Sequence, residues 1–224
     1  MSRAIAVLRP EPGNRVTAAA IEARGRAAIR LPLFEARPLV WSAPSPSDHD
    51  ALIFTSANAV RRAGPKLARL LALPVYSVGE ATTQAAQRAG FNVVATGSAG
   101  AAELIATAEA AGVRRALHLA GRERTLGEGG IVSRAIPVYG SDALPVSPDA
   151  IRSLGGSVAL IQSARAGARL AELAGEAGLE RGTVVLVAVS AAAARAAGAG
   201  WERVAIPADV SSAAAIDAAL ALAD

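Results

Sequence analysis

Three segments of this chain occur twice at nearly one spacing. Ala51-Leu52-Ile53-Phe54-Thr55-Ser56-Ala57-Asn58-Ala59-Val60 is an apolar run, a hydroxyl pair and a helix opening. It returns as Val158-Ala159-Leu160-Ile161-Gln162-Ser163-Ala164-Arg165-Ala166-Gly167, at an offset of 107. Gly90-Phe91-Asn92-Val93-Val94-Ala95 returns as Gly200-Trp201-Glu202-Arg203-Val204-Ala205 at 110, and Leu31-Pro32-Leu33-Phe34 as Ile136-Pro137-Val138-Tyr139 at 105. In a chain of 224 residues these offsets lie close to half the length. A duplication implies two similar lobes of about 110 residues, near the usual domain size. Two lobes make a cleft, and clefts are where ligands sit. Chance similarity in an alanine-rich chain is the competing reading.

Within each copy, short apolar runs alternate with helical stretches. Ala51–Phe54, Val75–Val78, Asn92–Ala95 and Ala116–Ala120 read as strands, separated by helices over Ala57–Leu71, Ala81–Ala89 and Ala101–Ala111. The order returns after Ser157. Strands Val158–Ile161, Val184–Val189 and Arg203–Ile206 alternate with helices Ala164–Ala177, Ala191–Ala197 and Ser211–Ala223. At the start, strand Ala4–Leu8, helix Val16–Ala23 and strand Ala28–Leu33 follow the same rule. Such alternation implies right-handed βαβ units and parallel sheets. Periodicity breaks at Trp41–Asp50, read as a loop, and weakens between Ala120 and Tyr139, where the glycine-rich Gly121–Gly130 reads as a turn or frayed helix. Tyr139 is expected to end a strand where the lobes join.

Composition removes several chemistries. There is no cysteine, which excludes disulfides, thiolate nucleophiles and Cys-ligated metal, and is compatible with a reducing cytoplasm. Aromatics are 3%, too few for base-stacking platforms. The net charge of +4 rests almost wholly on Arg, since Lys66 is the only Lys. Guanidinium groups suit carboxylate or phosphate partners, and a solvated surface is the bland alternative. The Arg residues are spread out rather than clustered as in a nucleic-acid tail. The apolar run near the start is too short for a signal peptide. Thr183–Ala194 is too short for a spanning helix, which needs about 20 residues. A cytoplasmic protein without membrane or nucleic-acid partners is expected. His49, between Asp48 and Asp50, reads as solvated. His118, inside an apolar strand, reads as a satisfied core histidine.

In open parallel sheets, ligands bind beyond the carboxyl ends of the strands. The residues there are Arg9, Thr55-Ser56, Gly79 to Thr82, Gly121-Arg122, Gln162-Ser163 and Val189-Ser190. Most precede a helix, whose free N–H groups bind anions. Serine and threonine at such places are also ordinary N-caps. No P-loop and no Gly-x-Gly-x-x-Gly follows a strand, so nucleotide fingerprints are missing. Tyr139, one of two tyrosines, would be placed to give a proton to a leaving oxygen, or would simply cap an apolar edge.

These motifs together resemble the uroporphyrinogen-III synthase family. The matching residues are Val7-Leu8-Arg9-Pro10, Leu31-Pro32-Leu33-Phe34-Glu35, Phe54-Thr55-Ser56-Ala57-Asn58-Ala59-Val60 and Val78-Gly79-Glu80-Ala81-Thr82. Gly90-Phe91, Ala102-Glu103-Leu104, Gly121-Arg122-Glu123-Arg124, Val138-Tyr139, Ser163 and Ser190 follow in order. The chain departs from the family's Gly-x-x-Thr at Val189-Ser190-Ala191-Ala192, which leaves Ser190 as the hydroxyl there. Thr125–Ser133 is shorter than the family's helix at that place.

The resemblance implies two flavodoxin-like α/β lobes with parallel sheets, residues 1–36 with 143–224 and residues 39–140. They would be joined by extended crossings near 34–39 and 139–144. It implies a lyase that closes hydroxymethylbilane, a linear tetrapyrrole polycarboxylate, to uroporphyrinogen III with inversion of ring D, through azafulvene and spiro intermediates. A monomer without cofactor or metal is expected. Tyr139 would assist departure of the hydroxyl. Arg9, Thr55, Ser56, Asn58, Gly79, Thr82, Gly121, Arg122, Ser163 and Ser190 would bind substrate. Positioning alone supplies about 7–11 kcal/mol in favourable cases, so no strong nucleophile is required. The alternative is a non-catalytic two-lobed binding protein for a small polyanion.

Overall fold

The computed structural model describes residues 2–98, 100–209 and 211–224. Short runs of Val, Ile, Leu and Ala form strands whose residues are buried on both faces: β1 (Ile5–Val7), β4 (Ala51–Phe54), β9 (Val158–Ile161) and β10 (Val185–Ala188). Continuous apolar runs are what a parallel sheet covered on both faces requires. The chain divides into two compact units, Met1–Glu35 with Ala143–Asp224, and Ala36–Asp142.

The first unit holds a parallel sheet in the order β2-β1-β9-β10-β11, where β2 is Ala28–Arg30 and β11 is Arg203–Ala205. Helices α5 (Pro148–Arg152), α6 (Ala164–Ala177) and α7 (Ala191–Ala197) bring Ile151, Leu170, Leu173 and Ala193 to one face. Helices α1 (Gly13–Glu22) and α8 (Ser212–Leu222) bring Ile21, Ile216 and Ala219 to the other.

In the second unit the order is β3-β8-β7-β4-β5-β6. Here β3 is Phe34–Pro38, β5 Val75–Val78, β6 Val93–Gly97, β7 Ala116–Gly121 and β8 Val132–Ala143. Helices α2 (Ala57–Arg62) and α3 (Glu80–Arg88) cover one face with Val60 and Ala86, and α4 (Ala101–Ala110) covers the other with Leu104 and Ala108. The edge strand β3 is antiparallel to β8. The Leu39 N–H donates to the Val138 carbonyl and the Leu144 N–H to the Leu33 carbonyl, both at 2.9 Å. The chain leaves the first unit along β3 and returns along the end of β8.

Set side by side, the sheets explain the repeats. In β2-β1-β9-β10-β11 and β8-β7-β4-β5-β6 each strand of one sheet has its counterpart at the same place in the other. The apolar-hydroxyl repeat marks β4 and β9, and the Gly-aromatic repeat leads into β6 and β11. The Leu31 and Ile136 repeats follow or lie within β2 and β8. Both sheets have a switch point, at β1/β9 and β7/β4, where neighbouring strands connect in opposite directions.

Two elements differ from the sequence reading. The helix expected over Ala57–Leu71 stops at Arg62, and Pro65–Leu70 forms a separate 3-10 turn. Gly64 between them has φ of 71°, and the residue before a proline is driven from helical geometry. The glycine-rich Gly121–Gly130 is the turn expected: it forms no helix and turns back through a bridge between Gly129 and Val132. Tyr139 lies inside the twelve-residue β8 rather than at a strand end. Pro137 and Gly140 look like terminators, yet the ladder absorbs them at an irregularity.

Candidate active site

Site geometry starts at that irregularity. Ala120 pairs with Pro137 but Gly121 with Tyr139, so Val138 is an extra residue on β8. A bulge of this kind re-aims the side chains beside it, and a proline, lacking a ladder donor, is accommodated there. The Arg122 N–H then donates to the Tyr139 carbonyl at 2.8 Å. Half-buried Tyr139 lies against Gly121, and its hydroxyl has no hydrogen-bond partner among the described residues.

Next to it stands Arg122, at the end of β7. Its guanidinium bonds Asp142 Oδ1 at 2.6 Å and Glu123 Oε1 at 3.3 Å. It rests on Gly140, where a Cβ would come 2.9 Å from Cζ. These ion pairs are half-exposed, so their strength is small, about 0–1 kcal/mol. An incoming carboxylate can therefore exchange with Asp142 at little cost.

At the end of β4, adjacent to β7, Ser56 caps α2 by accepting from the Asn58 N–H at 3.2 Å. Thr55, half-buried, shares a hydrogen bond of 3.0 Å with His118 Nε2. His118 is fully buried on β7, and its Nδ1 lies 3.1 Å from the Leu126 carbonyl. Burial, more than the nearby positive charge of Arg124, pulls its pKa down to about 4, against the Leu126 bond, which acts the other way. Gly79, at φ 76°, leads β5 into α3, whose early turn closes with Thr82 and Thr83 N–H groups on the Gly79 carbonyl. Thr82 itself is turned inward and 5% exposed. The second unit thus brings Thr55, Ser56, Asn58, Gly79, Gly121 and Arg122 to the carboxyl ends of β4, β5 and β7, with Tyr139 inside β8 opposite Gly121, the last residue of β7.

Arg9, Ser163 and Ser190 occupy the matching positions in the first unit. Ser163 caps α6 by accepting from the Ala166 N–H at 3.1 Å, and Ser190 caps α7 by accepting from the Ala193 N–H at 3.2 Å. Arg9 follows β1, with Nη1 3.5 Å from Thr17 Oγ1 and 3.4 Å from Ser212 Oγ. It too rests on a glycine: a Cβ at Gly13 would come 2.5 Å from its Nε. Asn14, fully buried, holds this turn by donating to the Val7 carbonyl at 2.6 Å and the Arg9 carbonyl at 3.1 Å. Each switch point therefore carries an Arg seated on a glycine and, on the neighbouring strand, a serine-capped helix start. The serine oxygens are occupied as caps. What remains for an anion is the serine O–H, which a cap leaves free to donate, and the first helical N–H groups that the cap does not take.

Sequence reasoning missed several parts of this arrangement. Asp142, Gly13, Gly140 and Asn14 carried no motif. A glycine within a strand does mark close approach of another group, and Gly140 was legible on that ground. His49, expected to be solvated, is buried, with Nδ1 3.3 Å from Ser133 Oγ and the Arg115 backbone beside the ring. His118 is the buried, bonded histidine expected. A hollow of about 410 Å³ lined by Phe34, Arg165, Ala168, Arg169 and Glu172 contains none of the strand-end residues, so volume alone does not mark the site. Among the described residues no acidic or histidine cluster can hold a metal, and no helix is long and apolar enough to cross a membrane.

Known proteins bear on this geometry. The family model described as "Uroporphyrinogen-III synthase HemD" matches residues 15–217. No curated protein sequence is a significant match. Among solved structures, uroporphyrinogen-III synthetase from Helicobacter pylori is 19% identical with a TM-score of 0.63, over 98% of this chain and 99% of that one. A mutant uroporphyrinogen III synthase from Thermus thermophilus is 15% identical with a TM-score of 0.51, over 98% of both chains. At such identities the structures speak for the fold, while the family model covers most of the chain. The chain belongs to the uroporphyrinogen-III synthase family, cyclising lyases of tetrapyrrole biosynthesis.

Proposed function

We propose that Tyr139, Arg9, Arg122 and the helix starts after β4, β5, β9 and β10 are the working parts of this synthase, acting on hydroxymethylbilane. The observation that carries this is the duplicated switch point. Arg9 with Ser163, and Arg122 with Ser56, offer a guanidinium and orphan amide donors at the same place in two sheets. A substrate with carboxylates along its length suits receptors that recur.

In this reading the Tyr139 phenol protonates the hydroxyl of the substrate, which leaves as water. The electrophile left behind is attacked by the substituted carbon of the last ring. That attack gives a spiro intermediate. The bond from the attacked carbon to its original methylene then breaks, the methylene rejoins the ring at the free α-carbon, and the hydrogen lost from that carbon returns to the phenolate as its proton. General acids of this kind contribute about 100- to 10,000-fold. Holding the chain so that the substituted carbon is the one in reach supplies the inversion. The reading includes a monomer in the cytoplasm that needs no cofactor, metal, nucleic acid or membrane.

The test is incubation with hydroxymethylbilane and separation of the uroporphyrinogen isomers. The inverted isomer, formed faster than spontaneous closure, is expected. The non-inverted isomer alone, at the spontaneous rate, rejects the reading. Tight product binding without a change in isomer ratio would mark a binding protein instead.

A further inference from the structure

The Thr55–His118–Leu126 chain has a direction. A carbonyl only accepts, so His118 Nδ1, 3.1 Å from the Leu126 oxygen, carries the ring hydrogen. A fully buried histidine held in this way is neutral, and its Nε2 is then a bare acceptor. The Thr55 hydroxyl, 3.0 Å away, therefore donates to Nε2. Its hydrogen is spent inward, and what it offers outward is lone pairs.

That reverses what a threonine at a strand end would be expected to bind. A hydroxyl with a spare hydrogen suits a carboxylate, but one that offers only lone pairs repels it. Such an oxygen suits an N–H donor. The pairing of Ile53 with His118 across β4 and β7 fixes this: Ile53 and Thr55 share a face of β4, so the histidine ring stands beside Thr55. All three residues belong to the second unit.

We infer that His118 is a positioning residue of substrate recognition: by taking the Thr55 hydrogen it makes the end of β4 an acceptor for a pyrrole N–H of the tetrapyrrole. The inference rests on the synthase reading above. The neighbouring Arg122 guanidinium, at the end of β7, favours carboxylates. Donors for the side chains and an acceptor for the ring then stand within one strand-end cluster, and together they set the orientation of a pyrrole rather than only its charge.

Two measurements test it. In protein labelled with 15N-histidine at pH 7, His118 is expected to show a protonated Nδ1 and an unprotonated Nε2, assigned by the loss of its signals in His118→Asn. The opposite tautomer overturns the inference whatever the kinetics show. In steady-state assays with hydroxymethylbilane, Thr55→Val deletes the acceptor, and His118→Asn keeps an amide for Leu126 but gives Thr55 no acceptor. Each is expected to raise KM about 3- to 10-fold, the worth of one hydrogen bond, with a smaller change in kcat. Thr55→Ser, which keeps the hydroxyl, should restore KM to within about twofold of the wild type. The double variant should be no worse than Thr55→Val, because both delete one interaction. Unchanged KM in Thr55→Val, or effects that multiply in the double variant, overturns the inference while wild-type production of the inverted isomer leaves the synthase reading intact. An inactive wild type sinks both.

Discussion

Tyr139 lies against the α-carbon of Gly121 so closely that a Cβ there would stand 3.0 Å from Cζ and 3.1 Å from the hydroxyl oxygen. Gly121 needs no special backbone angle, so its small size serves the ring. Gly121→Ala is therefore expected to push the phenol aside by a few tenths of an ångström without unfolding β7. Turnover should fall roughly 10-fold, since misplacements below 1 Å at a reacting group are costly. Single-turnover rates and a melting curve check this together. A loss of activity that tracks a loss of stability would assign Gly121 to packing instead.

The hydroxyl itself is tested by Tyr139→Phe. The ring still fills its place against Gly121, and only the proton donor goes. A fall in kcat of about 10- to 100-fold is expected, the lower end of general acid catalysis. Unchanged kinetics removes Tyr139 from the mechanism.

How far these parts could be read from the amino-acid sequence depended on how local their causes are. Strands β4 and β9 and helices α6 and α7 were legible to the residue or nearly so, because apolar runs and serine caps are local signals. The break at Gly64-Pro65 is equally local. Pro137 and Gly140 are residues that ordinarily interrupt a strand. Only the pairing with β7 shows that a bulge absorbs one and that the Arg122 guanidinium lies on the other. The Thr55–His118 bond spans 63 residues, and Arg9 meets Ser212 across 203. No spacing rule reaches such partners.

The glycine seats predict a clean separation of binding from stability. Gly13→Ala and Gly140→Ala each place a methyl group against a guanidinium, and a flexible side chain yields more easily than backbone. Arg9 or Arg122 should be displaced with little change in the melting temperature. KM for hydroxymethylbilane should rise about 5- to 20-fold, as for a lost charge-assisted bond of about 1–2 kcal/mol. Gly140→Ala added to Arg122→Ala should do nothing further. An independent effect of Gly140→Ala in that background would give Gly140 a role apart from Arg122.

His118 couples the site to pH through stability. Burial holds its pKa in the folded protein near 4, whereas in the unfolded chain it is about 6.5. The unfolded state therefore binds a proton first as pH falls. The stability that goes with the neutral ring is complete above about pH 6.5 and is lost progressively down to about pH 4, at roughly 1.4 kcal/mol per pH unit. The whole window is worth on the order of 3 kcal/mol. His49, also lowered by burial, acts in the same direction, so the wild-type curve alone does not isolate His118. Denaturant midpoints of wild type and His118→Asn at pH 7.5 and 4.5 do. The wild type should lose about 2–3 kcal/mol more than the variant on acidification. Equal losses would mean that the ring takes up its proton without disturbing the Thr55 and Leu126 bonds, and the neutral tautomer would no longer account for the buried pair.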